Sequence, residues 1–301
     1  MKGKTLKLSE KYMNPFNDHA FKVIFGCEKN KSLLIDFLNN LLKGEREIVD
    51  VQYLDKEQIL EQEKRRSAVY DIYCKDRNGD YFIVEMQNSF QDNFVKRMVY
   101  YSAFSIAKQG EQGSSWNYDV KAVYNIAFLN FKDSRIGNEL VKMTSLRDNK
   151  TGEQLTDVLN LIFIQLPLFN KTVEQCENFF ERWIYVLKNM YVLENLPKSF
   201  QCEAFKKLKE VSDVSKLNST ELSRYERAQR DYWDLINVLN SAEKNGIEKG
   251  KAEGRAEGEA KGEANTKLSI ARNMKAKRYP VEDISDMTGL SIEEVNAISL
   301  N

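Results

Sequence analysis

Two β-rich runs, Ala68 to Cys74 and Tyr81 to Met86, are separated by Asp76-Arg77-Asn78-Gly79-Asp80. That spacing restricts the fold more than any other feature, because a segment so rich in Asp, Asn and Gly reads as a hairpin turn. Register then decides which side chains share a face, since a slip of one residue turns a whole strand over. A two-residue loop, Asn78-Gly79, sets Asp71 opposite Met86. A three-residue loop, Arg77-Asn78-Gly79, pairs Asp76 with Asp80 and sets Asp71 opposite Glu85, with Gly79 in the left-handed conformation that this loop class requires. We expect the three-residue loop, or a compensating bulge. Alternation along Tyr81, Ile83, Glu85 and Gln87 puts both polar residues on one face, at the end away from the turn.

The hairpin lies between helices. Asn17-Asp18 caps a short helix that ends at Gly26, and Ser32 to Leu42 carries Leu34, Phe37, Leu38, Leu41 and Leu42 at helical spacing before Gly44. Residues 48–54 read as a strand, 91–109 as a helix and 120–131 as a buried strand. The order describes a mixed α/β core over 1–132. Strands at 139–146 and 155–168 extend the sheet (133–170), and 171–245 is mainly helical, with an apolar stripe of Phe179, Phe180, Trp183, Ile184 and Leu187. From 246 to 265 glycine recurs every four residues (Gly246, Gly250, Gly254, Gly258, Gly262). Each costs a helix about 1 kcal/mol relative to alanine, so the segment is either a helix with a small-residue seam or a charged tether. Residues 266–301 form a small helical tail with a basic arm, then a helix-turn-helix shape at Gly289 and the capping box Ser291-x-x-Glu294. Its acidic second helix argues for packing or assembly rather than phosphate contact.

Composition removes whole classes of chemistry. The 301 residues hold one histidine, His19, so no site can use two histidine ligands, and any Ser-His-Asp or Cys-His pair would need that residue. The four cysteines, Cys27, Cys74, Cys176 and Cys202, are far apart and read as reduced, mostly buried thiols; zinc is not expected. No apolar run approaches the ~18 residues of a membrane span, and the first residues lack a secretory core. A cytoplasmic location follows as an expectation. With 45 basic and 45 acidic residues there is no global pull toward nucleic acid, so local patches must bind it. Carboxylates and hard cations are the reagents left.

Asp71 and Glu85, about one residue's width apart, repel each other unless a divalent cation neutralises them. Mg²⁺ suits such a pair, since it uses few protein carboxylates and keeps several waters; Mn²⁺ and Ca²⁺ are the alternatives. The Met86 backbone carbonyl completes the protein ligands, and the Gln87 amide is placed to orient a water. On the following helix Val95, Met98, Val99 and Ile106 make the expected buried face. Arg97, Tyr100, Tyr101 and Phe104 occupy a neighbouring sector, where Arg97, Tyr100 and Tyr101 can contact phosphates; an ordinary aromatic ridge is the other reading of the same residues.

Asn14-Pro15-Phe16-Asn17-Asp18-x-x-Phe21-Lys22-x-x-Phe25-Gly26, Tyr70-Asp71-Ile72 and Phe82-Ile83-Val84-Glu85-Met86-Gln87 together resemble the Rpn family of recombination-promoting nucleases, transposase-like members of the PD-(D/E)xK superfamily. The likeness covers roughly residues 13–245. It implies a restriction-endonuclease-like mixed sheet flanked by helices, Mg²⁺-dependent cleavage of DNA, and a link to recombination, mobile elements or phage defence. Asp71 and Glu85 carry over as metal ligands, Asp18 as an acid of the first helix, Lys22 as a DNA contact, and Gln87 falls where the superfamily has lysine. Tyr70 replaces the signature proline, which does no chemistry. Two other functions stay open on the residues alone: a non-catalytic DNA-binding or assembly protein on this scaffold, and an RNA-cleaving nuclease. The glycine repeat points to a homodimer or higher homo-oligomer.

Overall fold

A computed structural model describes residues 10–58, 68–110 and 116–299; the first nine residues, part of the stretch expected to lack a secretory core, lie outside it. The chain divides into two units, up to Asp234 and from Leu235.

In the first unit, helix α1 spans Asp18–Phe25, with the Asn17 side chain accepting from the Ala20 N–H at its start and Gly26 closing its end. Helix α2 follows at Lys31–Leu41. Strand β1 is Val51–Tyr53, and β2 (Glu57–Gln58) pairs with β3 (Ala68–Val69) as a separate two-stranded ribbon. The β-rich run over 68–74 is therefore not one strand. It breaks at Tyr70-Asp71, and β4 begins at Ile72 and ends at Asp76. Strand β5 is Tyr81–Gln87. Helix α3 (Phe94–Ala107) leads to β6 (Val123–Leu129), and the hairpin of β7 (Val141–Arg147) and β8 (Gln154–Gln165) extends the sheet as expected. The six strands run in the order β1-β4-β5-β6-β8-β7, with β5, β6 and β8 mutually parallel and the others antiparallel.

Both faces of this sheet are covered, which is why β6 is buried along its whole length. On one face Phe128 meets Phe21 and Phe25 of α1 and Phe37 of α2, with Trp183 of α4 (Phe179–Asn189) behind them. Burying one such phenyl ring contributes about 2 kcal/mol, so this aromatic cluster fixes α1 against the sheet. On the other face Ala127, Leu129 and Phe163 pack on Phe94 and Met98 of α3.

The expected face of α3 needs correction. Val99 is 42% exposed, whereas Ser102, Phe104 and Ser105 are buried. The reason is polar: Asn125, fully buried on β6, donates to the Met98 carbonyl and the Ser102 hydroxyl, and Tyr73 shares a hydrogen bond with Ser105. Nor are the cysteines mostly buried; Cys74 and Cys176 are, while Cys27 is exposed and Cys202 half-buried.

Helix α5 (Glu203–Val211) and the start of α6 (Ser219–Ala276) complete the first unit. In the second unit the glycine repeat lies in α6, so it is helical rather than a tether, and every residue from 246 to 265 is exposed. The tail forms α7 (Val281–Thr288) and α8 (Ile292–Ala297) around Ala271, Ile284 and Val295, with left-handed Gly289 and the Ser291–Glu294 capping box as expected. Among the described residues no helix is long and apolar enough to cross a membrane.

Candidate active site

The turn between β4 and β5 is the three-residue loop. Asp76 N–H donates to the Asp80 carbonyl at 2.9 Å, and Gly79 sits at φ +89°. Ile72 therefore faces Val84, the register expected for the three-residue loop, and Asp71 is the next residue beyond that pair. Glu85 and Gln87 face α3 with Ile83, because β5 aligns Ile83, Glu85 and Gln87 with Asn125, Ala127 and Leu129 of β6.

Asp71 sits at a bend, just outside the ladder. Tyr70 is held on both sides, its N–H donating to the Lys56 carbonyl and its hydroxyl to the Tyr101 carbonyl. The chain consequently leaves the line of β4, and the Asp71 Oδ2 accepts the Met86 N–H at 3.1 Å, where a neighbouring strand's carbonyl would otherwise stand. In a strand the N–H and C=O of one residue point the same way, so the Met86 carbonyl is directed to this side of β5 as well. The carboxylate thus lies at the sheet's edge gap, within reach of both layers.

Glu85 is the unusual group. It is only 7% exposed, and its buried Oε1 has no hydrogen-bond donor. Burial first, then the charge of Asp71, pushes its carboxyl up to about 7, against a weaker pull downward from Arg97. Burial also raises Asp71, opposed by the Met86 N–H and by Lys22. Among the described residues there is no cluster of three or more His, Cys, Asp or Glu side chains that could hold a metal.

Arg97 reaches from α3 to donate to Gln87 Oε1 and to Gln91 Oε1, both at 2.7 Å, while Gln87 Nε2 donates to the Ser89 carbonyl. One amide hydrogen and one lone pair of Gln87 are left for a water. Tyr101 packs edge-on against Tyr70, and Tyr100 is 43% exposed. From the opposite face, Lys22 of α1 places Nζ 3.6 Å from Asp71 Oδ1 and 2.5 Å from Asp18 Oδ1. The structure thus brings Asp18, Lys22, Asp71, Glu85, Met86, Gln87 and Arg97 together, with Tyr100 and Tyr101 further along α3. Lys56 was missed by sequence reasoning. It is half-buried, and its ammonium is held below the usual range by burial and then by Lys22, with Asp18 and Asp71 opposing. It belongs to no periodic segment, so nothing in the pattern marks it.

A mixed six-stranded sheet with flanking helices is consistent with a PD-(D/E)XK α/β fold. The family described as PD-(D/E)XK nuclease family transposase matches residues 15–242, and the chain belongs to it. That membership supports a nuclease-like or transposase-like function. No curated protein and no solved structure matches the chain.

Proposed function

We propose that this chain is a Mg²⁺-dependent endonuclease that hydrolyses phosphodiester bonds in DNA, serving recombination, mobile elements or phage defence. The observation that carries the reading is the buried, donor-free Glu85 oxygen beside Asp71. A carboxylate in that position is expensive unless a cation meets it. An oxygen-seeking divalent ion fits the donor set, since Mg²⁺ takes one or two carboxylates and keeps its waters; Asp71, Glu85 and the Met86 carbonyl would hold it. When bound, such an ion supplies a more acidic water and neutralises charge on the phosphoryl oxygens.

The chain's own residues do the rest in this reading. Water oxygen joins phosphorus, the bond from phosphorus to one sugar oxygen breaks, the water loses a proton to solvent, and the leaving oxygen gains one. Gln87, fixed by Arg97, uses its free amide hydrogen and lone pair to orient the water. Asp18 holds Lys22 over Asp71. Exposed Tyr100, with Tyr101, Arg97 and Lys22, contacts the DNA backbone.

Cleavage of supercoiled plasmid with Mg²⁺, Mn²⁺ or Ca²⁺, set beside matched RNA, tests the reading. Metal-dependent nicking of DNA that disappears in Asp71→Ala and Glu85→Ala is the expected result. Equal cutting by both variants sinks it, and preferential cutting of RNA replaces the substrate. The neutral residue at 87 favours one rival, a DNA-binding protein without turnover; binding without cleavage under every divalent ion would establish that rival. Exposure of the glycine repeat supports self-association of the chain, which a solution mass of a single chain would exclude.

A further inference from the structure

Hydrolysis of a phosphodiester builds negative charge on the phosphoryl oxygens, and a fixed positive group beside them is worth a large part of the rate. Glutamine at position 87 is neutral. Arg97, the cation nearest to it, has both terminal nitrogens engaged by Gln87 and Gln91 on the α3 face. The opposite face is different. There Lys22 presents an ammonium 3.6 Å from Asp71 Oδ1. Its other partner is Asp18, one helical turn away and 66% exposed, a pairing of little strength that an arriving phosphate can displace.

The residues around α1 explain why that ammonium is there. Asn17, buried, caps the helix with Oδ1 and donates through Nδ2 to Gln229 Oε1 at 2.7 Å. Gln229 in turn donates to Glu10, and Tyr225 accepts from the Asn14 N–H while donating to Glu10. Asn88, one residue past the end of β5, donates to the Phe16 carbonyl at 2.7 Å. A buried polar network of this kind is costly to assemble and fixes geometry when fully paired. It locks the start of α1 to α6 on one side and to the site strand on the other. The helix that carries Lys22 is therefore set against Asp71 by several independent bonds.

We propose that Lys22 is the catalytic cation of this site, donating from the first helix to a non-bridging oxygen of the reacting phosphate, the role for which residue 87 is unsuited. The proposal rests on the nuclease reading. Lys22 keeps its proton throughout: the water oxygen joins phosphorus and gives a proton to solvent, the bond to the sugar oxygen breaks with its electron pair, and solvent protonates that oxygen.

The test uses the full chain and three variants: Lys22→Met, Lys22→Arg, and Lys22→Met combined with Gln87→Lys. Mn²⁺ binding is measured by calorimetry without DNA, plasmid cleavage as kcat and KM, and folding by thermal unfolding. For Lys22→Met we expect kcat to fall about 10²–10³-fold with KM changed little. Its Mn²⁺ affinity should hold or rise, because a competing positive charge has left Asp71. Lys22→Arg should retain part of the rate, and lysine at 87 should restore at least about tenfold. Lys22→Met cutting within about threefold of the parent overturns the proposal while leaving the nuclease reading intact. Mn²⁺ affinity falling in step with the rate also overturns it, because Lys22 would then only support Asp71. A parent chain that binds Mn²⁺ yet cuts nothing sinks the nuclease reading and this proposal with it.

Discussion

The two ends of the β4–β5 hairpin carry the same motif and treat it in opposite ways. At the turn, Asp76 faces Asp80; at the open end, Asp71, just beyond the last pair Ile72–Val84, lies near enough to Glu85 for its charge to act on that carboxyl. Acids facing each other across strands are unfavourable in either place. The turn end answers with donors. Asp76 Oδ1 accepts the Asn78 and Asp80 N–H groups at 2.9 Å, and Asp80 accepts the Ala122 N–H at 3.1 Å and meets Arg46 at 3.2 Å. The open end has fewer: Asp71 takes the Met86 N–H and Lys22, while the buried Oε1 of Glu85 takes no hydrogen bond; Asp80 Oδ2 lacks one too, but has the Arg46 charge beside it. Burial raises both Asp80 and Glu85, and each has a carboxylate raising it and an arginine lowering it; at Asp80 the Arg46 charge comes before those of Asp76 and Asp157, whereas at Glu85 the Asp71 charge comes before that of Arg97 and the carboxyl is pushed up to about 7. A carboxylate surrounded by donors holds structure together. One buried without them is available for chemistry.

The largest expected effect breaks the pairs apart by function. Asp71→Ala or Glu85→Ala should lower plasmid cleavage roughly 10³-fold or more, since the ion they would hold is worth several kcal/mol at the transition state. Asp80→Ala should keep cutting. Equal losses at the two ends would erase the distinction.

The next effect concerns stability and pH in metal-free protein. Glu85 goes from an ordinary 4.5 when unfolded to about 7 when folded, so between those values the folded chain binds more protons than the unfolded chain. Stability should therefore fall as pH rises from about 4.5 through about 7, by about 3 kcal/mol, and then level off. Glu85→Gln should flatten that slope in denaturant titrations; an unchanged slope would show that Glu85 is not the strained group. Asp80→Ala should act in the reverse sense, destabilising by about 2 kcal/mol, because it leaves the buried Ala122 N–H without its acceptor and takes one partner from Arg46, which keeps Tyr124 and Asp157. A variant as stable as the parent would mean that the turn-end donors contribute nothing.

Much of this contrast was legible in the sequence. Gly79 after Asn78 set the loop length, and the loop length set the register of Ile72 with Val84. Asn17 and Gly26 bounded α1, and alternation identified the face of β5. Local chemistry decided those features, so local patterns reveal them. What stayed hidden depends on contacts distant in the chain. Tyr70-Asp71-Ile72 reads as continuous strand, yet Tyr70 is drawn to Lys56 and Tyr101, and the resulting bend aims the Asp71 carboxylate. The inner face of α3 was misread because Ser102 and Ser105 are buried against Asn125 and Tyr73, whereas apolarity favoured Val99. That polar pairing turns the helix and brings Arg97 to Gln87. Lys56 had no signal at all.

Arg97 gives the smallest expected effect and the sharpest division between its two proposed uses. Its guanidinium fastens Gln87 and stacks at 5.3 Å over Phe94, and its charge is what opposes the rise of Glu85. If that local role dominates, Arg97→Met lets Glu85 rise further, so less of it is ionised near pH 7 and cleavage falls about tenfold there. The loss should shrink as pH increases, because the acid limb of the rate profile has moved to higher pH, whereas the loss in Lys22→Met should stay constant with pH. If Arg97 instead contacts DNA phosphates, the same variant weakens binding to every sequence and reduces its salt dependence by about one counterion, without moving the limb. Arg97→Lys separates charge from shape, since lysine keeps the charge but cannot make the two-nitrogen bridge to Gln87 and Gln91. A rate profile shifted in Arg97→Met, and returned in Arg97→Lys, assigns the residue to Glu85; a profile that never moves assigns it to the DNA.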